Sequence, residues 1–256
     1  MVSLARADLE SLLREKHLDR TLTSCADTAD DADPSRWAPT GVAPLDARLG
    51  GGVPRGQVSE ITGPQSSGRT SVLVRLLAGA VARGELVALV DVLDTFDPAS
   101  AEAAGLDLDR LLWVRGHMTA SPGLCRDMNQ RALEQAIRAL ALVLQAGICG
   151  VVVFDAVGAP AAAVGRLPFT TWLRLQRLVE GSQTALVLVG GTPMARSAAG
   201  VSVQLAGAGG AGVGIRKSRF DRGLFEGIDV EARIVQSRVR HDESPVAMAT
   251  TAVHGA

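Results

Sequence analysis

One run of residues carries the clearest chemical signal in this chain. Gly63-Pro64-Gln65-Ser66-Ser67-Gly68-Arg69-Thr70-Ser71 follows the pattern Gly-x-x-x-x-Gly-Lys-Thr, with Arg in the Lys position. It lies between a short apolar run, Val58 to Thr62, and a segment with helical spacing, Thr70 to Ala82. In that context the glycines let the loop wrap so that successive backbone N–H groups face a phosphate, and the helix N-terminus adds its positive dipole end. Thr70 stands where a hydroxyl would ligate Mg²⁺. Asp155, closing the run Val151 to Phe154, stands where a carboxylate would hold the same ion through water. Two readings follow: a site for ATP or ADP with Mg²⁺, or a turn that keeps the shape and binds sulfate or nothing.

Arg69 is the residue on which these readings divide. A Lys ammonium is a compact point charge that fits between phosphates, whereas a guanidinium is wide and planar. It either grips the phosphates from outside or fills the site. Of the 26 positive side chains only Lys16 and Lys217 are Lys, so Arg is the chain's general choice of cation and its presence here is weak evidence of a special role.

Other chemistry-bearing residues are sparser. Arg216, Lys217, Arg219 and Arg222, with Phe220 and Phe225 interleaved, form the densest positive patch. They suit either DNA phosphates with an aromatic stacking platform, or a solvated hairpin partly neutralised by Asp221 and Glu226. His17, His117, His241 and His254 have no acid or Cys at ligand spacing, and Ser66 and Ser67 have no base placed to activate them. Cys25, Cys125 and Cys149 fit neither a disulfide framework nor a zinc site and are expected to be reduced thiols.

The elements that must position the loop follow from length and pattern. A chain of 256 residues that is 47% hydrophobic and 21% charged can bury one large core or two small ones, which excludes a disordered tail or a disulfide-stapled mini-protein. A net charge of -1 excludes a globally basic nucleic-acid or membrane-surface binder, so any DNA contact is local. The N-terminus has early acids and no apolar core of a signal peptide, and no apolar run approaches the ~18 to 20 residues of a membrane helix. A cytoplasmic protein without membrane contact is the expectation.

Leu4, Leu9, Leu12, Leu13 and Leu18 predict an amphipathic helix within residues 1–22, followed by a polar linker over 23–39, a core domain over 40–249 and a tail over 250–256. Leu86 to Val90, Val151 to Phe154 and Ala185 to Val189 predict strands buried on both faces. Helical stripes over 129–145 and 167–180 alternate with them. The chain is therefore expected to be α/β, with a mainly parallel sheet flanked by helices. Val201 to Leu205 and Val230 to Gln236 have no long helix between them and predict antiparallel strands at the C-terminal edge. Trp172, on an amphipathic helix, is either core or an exposed partner anchor.

From Thr40 to Arg115 the chain resembles the RecA recombinase family. Thr40-Gly41, Leu45-Asp46, Leu49-Gly50-Gly51-Gly52-Val53-Pro54-Arg55-Gly56, Glu60-Ile61 and Gly63-Pro64-Gln65-Ser66-Ser67-Gly68 follow the family's entry to its ATPase core. Asp91, Asp97-Pro98, Ala101, Gly105, Leu106-Asp107, Asp109 and Leu111-Leu112 match the next segment. The resemblance fades after Phe154-Asp155. It implies a RecA-like nucleotide-binding core.

The departures bear on activity. The resemblance puts Leu93 where the family has the Glu that positions the attacking water; Asp94, next to it, is a weak substitute because its side chain is shorter and out of register. The family's adenine-stacking Tyr, near Ser100, is missing, since the chain contains no Tyr, and its phosphate-sensing Gln falls at Gly190 or Gly191. The family's DNA loops are shortened here to about 158–168 and 192–200, and its C-terminal DNA-gating domain is expected to be absent. A RecA-like core with these losses is similar to the ImuA proteins of bacterial translesion mutasomes, sometimes called SulA-like. That resemblance rests further on Arg166-Leu167-Pro168 leading into the helix Phe169 to Leu178. It implies a non-hydrolysing regulatory subunit in SOS mutagenesis, with RecA and an ImuB-type Y-family polymerase homologue as partners and a DnaE-type polymerase reached indirectly. The alternatives are a DNA-dependent ATPase using Arg69 and Asp94, and a SulA-like cell-division inhibitor.

Overall fold

The computed structural model describes residues 33–118, 126–195, 200–205, 218–221, 224–236 and 246–249. The chain divides into two units, 1–35 and 36–256, and of the first only residues 33–35 are described. The expected N-terminal helix, most of the linker and the tail lie outside the described residues.

The second unit opens with β1 (Trp37–Ala38), which pairs antiparallel with β2 (Val53–Pro54) around α1 (Ala43–Leu49). The last residues of the stretch expected as linker are thus part of a small sheet. Close approach explains the glycines here: a Cβ on Gly51 would stand 3.1 Å from the Trp37 ring, and one on Gly52 would run into the Ala38 carbonyl, while both backbones hold a positive φ.

The main sheet contains β3 (Val58–Thr62), β4 (Leu86–Asp91), β5 (Leu111–Arg115), β6 (Cys149–Asp155), β7 (Ala185–Gly190), β8 (Ser202–Leu205), β10 (Leu224–Gln236) and β11 (Val246–Ala249), with β9 (Ser218–Asp221) paired to β10. The order is β11-β10-β8-β3-β7-β6-β4-β5. From β8 to β5 every pairing is parallel; β10 then pairs antiparallel with β8, and β11 and β9 with β10. The expected α/β class and the antiparallel edge are both present, with β8 itself still on the parallel side.

The central strands read as unbroken apolar runs because both faces are covered. Their side chains nonetheless sort by the two-residue strand period. Val87, Leu89, Val151, Val153, Val187 and Val189 join one core with α2 (Arg69–Ala82) and α3 (Pro98–Ala103). Ala88, Val90, Val152, Phe154, Leu186 and Leu188 join the other, with α4 (Arg126–Ala146), α5 (Ala161–Val164) and α6 (Phe169–Val179). Trp172 belongs to this second core and is 6% exposed, so it is a packing residue and not an anchor offered to a partner.

At the end of the sheet away from the phosphate loop, Arg55 ties the start of several strands together. Its guanidinium donates to the carbonyls of Trp37 (3.3 Å), Gly150 (2.9 Å) and Gln183 (2.9 Å) and to Glu85 (2.8 Å). Burial alone would raise the Glu85 pKa, but hydrogen bonds from Arg55 and Arg83 outweigh it and hold the carboxyl below its ordinary value.

Candidate functional site

The chain leaves β3 toward β4, beyond β7 and β6 on one side, while β7 leads to β8 on the other side of β3. The carboxyl ends of β3, β6 and β7 therefore flank a topological switch point, where open α/β sheets bind ligands. The phosphate loop occupies that place. Gly63 follows β3 directly, and its N–H donates to the Gly190 carbonyl at 3.3 Å, tying the loop to the end of β7. A Cβ on Gly63 would stand 2.6 Å from both the Leu205 carbonyl and the Ser67 Oγ, so the loop closes only around glycine. Ser66 and Gly68 turn the chain through the left-handed region, with φ of 58° and 85°, and Gly68 caps α2. The first N–H groups of that helix lack partners inside it, which is the arrangement that suits an anion. The buried Ser67 Oγ has no hydrogen-bond partner among the described residues.

Arg69 and Thr70, adjacent at the start of α2, point differently: Thr70 is exposed and Arg69 is buried. The guanidinium turns inward until Nη1 lies 3.9 Å from where a Cβ on Gly191 would stand. Burial lowers its pKa, and the nearby charge of Asp155 partly opposes that.

Asp155 ends β6 in register with Asp91 on β4 and Val189 on β7. Its Oδ1 accepts the Val157 N–H at 2.9 Å. Burial raises its pKa from 3.8 to about 6; the Val157 bond and the Arg69 charge lower it, and the Asp91 charge adds to the rise. Asp91 accepts the Phe96 N–H on Oδ2 at 2.8 Å, while its buried Oδ1 has no partner among the described residues. Two acids thus sit side by side at the strand ends, with the Arg69 guanidinium coupled to one of them. No group of three or more His, Cys, Asp or Glu able to hold a metal exists among the described residues.

The positions after β4 bear on hydrolysis. Leu93 is partly buried against the second core, and its Cδ2 would lie 3.4 Å from a Cβ on Gly158. It is a packing residue that can neither accept nor donate a proton. Asp94 has a positive φ of 56° and is gripped by Arg115, whose Nε and Nη2 donate to its two oxygens at 2.7 Å each. That bidentate bond holds the Asp94 carboxyl below its ordinary pKa, making it a poor proton acceptor. Arg115 is itself seated 4.7 Å over the Trp113 ring, which meets Phe96 edge-on at 5.3 Å.

A further residue emerges that sequence pattern did not single out for a role. Glu60, buried in β3, accepts the N–H groups of Met194 and Ala195 on Oε1 at 2.8 and 2.7 Å, fixing the start of the segment after β7. Burial raises its pKa, against those two bonds. Within Val58 to Thr62 it had only the appearance of a polar interruption. Arg216, Lys217 and Arg222 lie outside the described residues; Arg219 is placed only by its backbone, opposite Gly227 in the β9–β10 pairing.

The RecA N-terminal domain family model matches residues 28–165. Protein RecA of Symbiobacterium thermophilum is 39% identical over 122 residues, which are 47% of this chain and 31% of that protein. Protein RecA of Frankia casuarinae is 36% identical over 162 residues, 59% of this chain and 43% of that protein. Protein RecA of Mycobacterium marinum is 39% identical over 122 residues, 47% and 31% of the respective chains. The matched region spans less than half the length of these relatives.

Proposed function

The chain belongs to the RecA N-terminal domain family, and from that premise we propose that it is a non-hydrolysing RecA paralogue, a regulatory subunit of the ImuA type in SOS-induced translesion synthesis. The observation that carries this reading is the pairing of an intact phosphate loop with the loss of a general base: Leu93 packs on the core and Asp94 is taken up by Arg115. The nucleotide is held by residues 63–71, the phosphate loop and the first turn of α2. Nucleotide, when bound, would supply the polyphosphate that the loop's backbone donors orient, while neither Leu93 nor Asp94 is available to activate water.

The partners in this reading are RecA and an ImuB-type polymerase homologue, with a DnaE-type polymerase engaged indirectly. The protein works in the cytoplasm; among the described residues no helix is long and apolar enough to cross a membrane. With Trp172 buried, the exposed side of α6 is represented by Phe169 and Leu173, 42% and 40% exposed, and these are the residues of that helix offered to a partner. Phosphate release from ATP, measured with and without single-stranded DNA, tests the reading. Background rates in both support it. Sustained turnover that Asp155→Ala abolishes overturns it in favour of a DNA-dependent ATPase.

A further inference from the structure

The direction taken by Arg69 has a chemical consequence for the ligand. Its residue is 6% exposed although it stands at the mouth of an open loop, next to an exposed Thr70. The side chain runs to the end of β7, where a Cβ on Gly191 would come into van der Waals contact with the guanidinium at 3.9 Å, so a long side chain there would crowd it. On its other side lies Asp155, to which it is electrostatically coupled, beside Asp91 with one buried, unpartnered carboxylate oxygen. The Ser67 hydroxyl, also buried and unpartnered, belongs to the same loop.

We propose that Arg69 is a resident cation of this site, so that the loop takes the pyrophosphate group of a nucleoside diphosphate without a divalent metal. The chemistry follows from what a guanidinium is. It carries a permanent charge and a planar fork of donors that matches two phosphate oxygens, and its weak hydration makes a buried position tolerable. Mg²⁺ demands near-ideal octahedral geometry, keeps several waters and needs ionised oxygen donors. Here the acid available to it is half-buried and already faces a fixed positive charge. The inference rests on the phosphate loop as a nucleotide site and is independent of whether turnover occurs.

The test is equilibrium binding of a fluorescent ADP analogue, followed by anisotropy, in Mg²⁺ and in EDTA. Wild-type affinity is expected to agree within about twofold between the two conditions, whereas Arg69→Lys becomes metal-dependent, weakening about tenfold or more in EDTA. Gly191→Gln, which refills the space beside Nη1, is expected to weaken binding in both conditions. Thermal unfolding of each variant separates these effects from loss of fold. Wild-type binding that weakens about tenfold in EDTA overturns the proposal, as does a wild type that binds no analogue. Equal metal-independence of Arg69→Lys also overturns it. Metal-dependent wild-type binding overturns this proposal and leaves the phosphate-release reading standing, whereas turnover overturns that reading and leaves this one; absence of any binding removes the nucleotide site on which both rest.

Discussion

Asp155 is the residue whose chemistry is most exposed to experiment. Its pKa rises from 3.8 to about 6, chiefly through burial, so the folded protein binds a proton there more tightly than the unfolded chain does. The sign follows from linkage: the stabilisation from this group is complete below about pH 4 and is lost as pH rises through about 6. The shift corresponds to about 3 kcal/mol at most. Asp155→Asn removes the cost of ionising a buried acid. Urea unfolding should therefore show the variant gaining on wild type as pH rises from about 4 to about 7. A difference that stays flat across that range contradicts the assignment. At this same scale, the identities of Arg69, Asp94 and Asp155 were legible from sequence pattern, whereas their states were not. Arg69 followed from a motif, yet the motif is silent on which way a long side chain turns. The capture of Asp94 by Arg115 joins residues 21 apart, through a loop with a left-handed residue that no periodicity records.

Among elements, the buried strands were the most legible, because a sheet covered on both faces forces continuous apolar runs. β5 was not legible as a strand. It is an edge strand whose residues are half-buried or exposed, and Leu111 to Arg115 shows neither a clean alternation nor a fully apolar run. β1 was hidden for a different reason. Two residues beside prolines and acids look like linker until a partner, β2, sits opposite them. Arg55 is the element-scale device that holds the far strand ends together, and its removal leaves Glu85 with Arg83 as its remaining counter-charge. Arg55→Ala is expected to cost about 2 to 4 kcal/mol, measured by denaturant unfolding, since three carbonyls and a carboxylate lose a donor. A cost under about 0.5 kcal/mol would show that the clasp is ornamental. Phe169→Ser with Leu173→Ser should leave unfolding within about 0.5 kcal/mol of wild type, because both side chains are exposed. The same pair should weaken capture of a purified ImuB-type partner; unchanged capture removes that surface from the reading.

For the whole molecule, the near-zero charge first excluded a uniformly basic DNA binder, and the fold adds a reason for it. The chain keeps the RecA-type sheet, its switch point and its phosphate loop. At the positions that would activate water it has an apolar side chain and an ion-paired acid. Binding without turnover is the coherent combination, since the loop needs only backbone donors while hydrolysis needs a placed base. The most direct measurement is a single-turnover assay: protein in excess over radiolabelled ATP, with single-stranded DNA and Mg²⁺ present, and nucleotide separated over several hours. The account predicts that the label stays in ATP at the rate of a protein-free control. Conversion to ADP above that control, lost in Asp155→Ala and retained in Arg115→Ala, would contradict it.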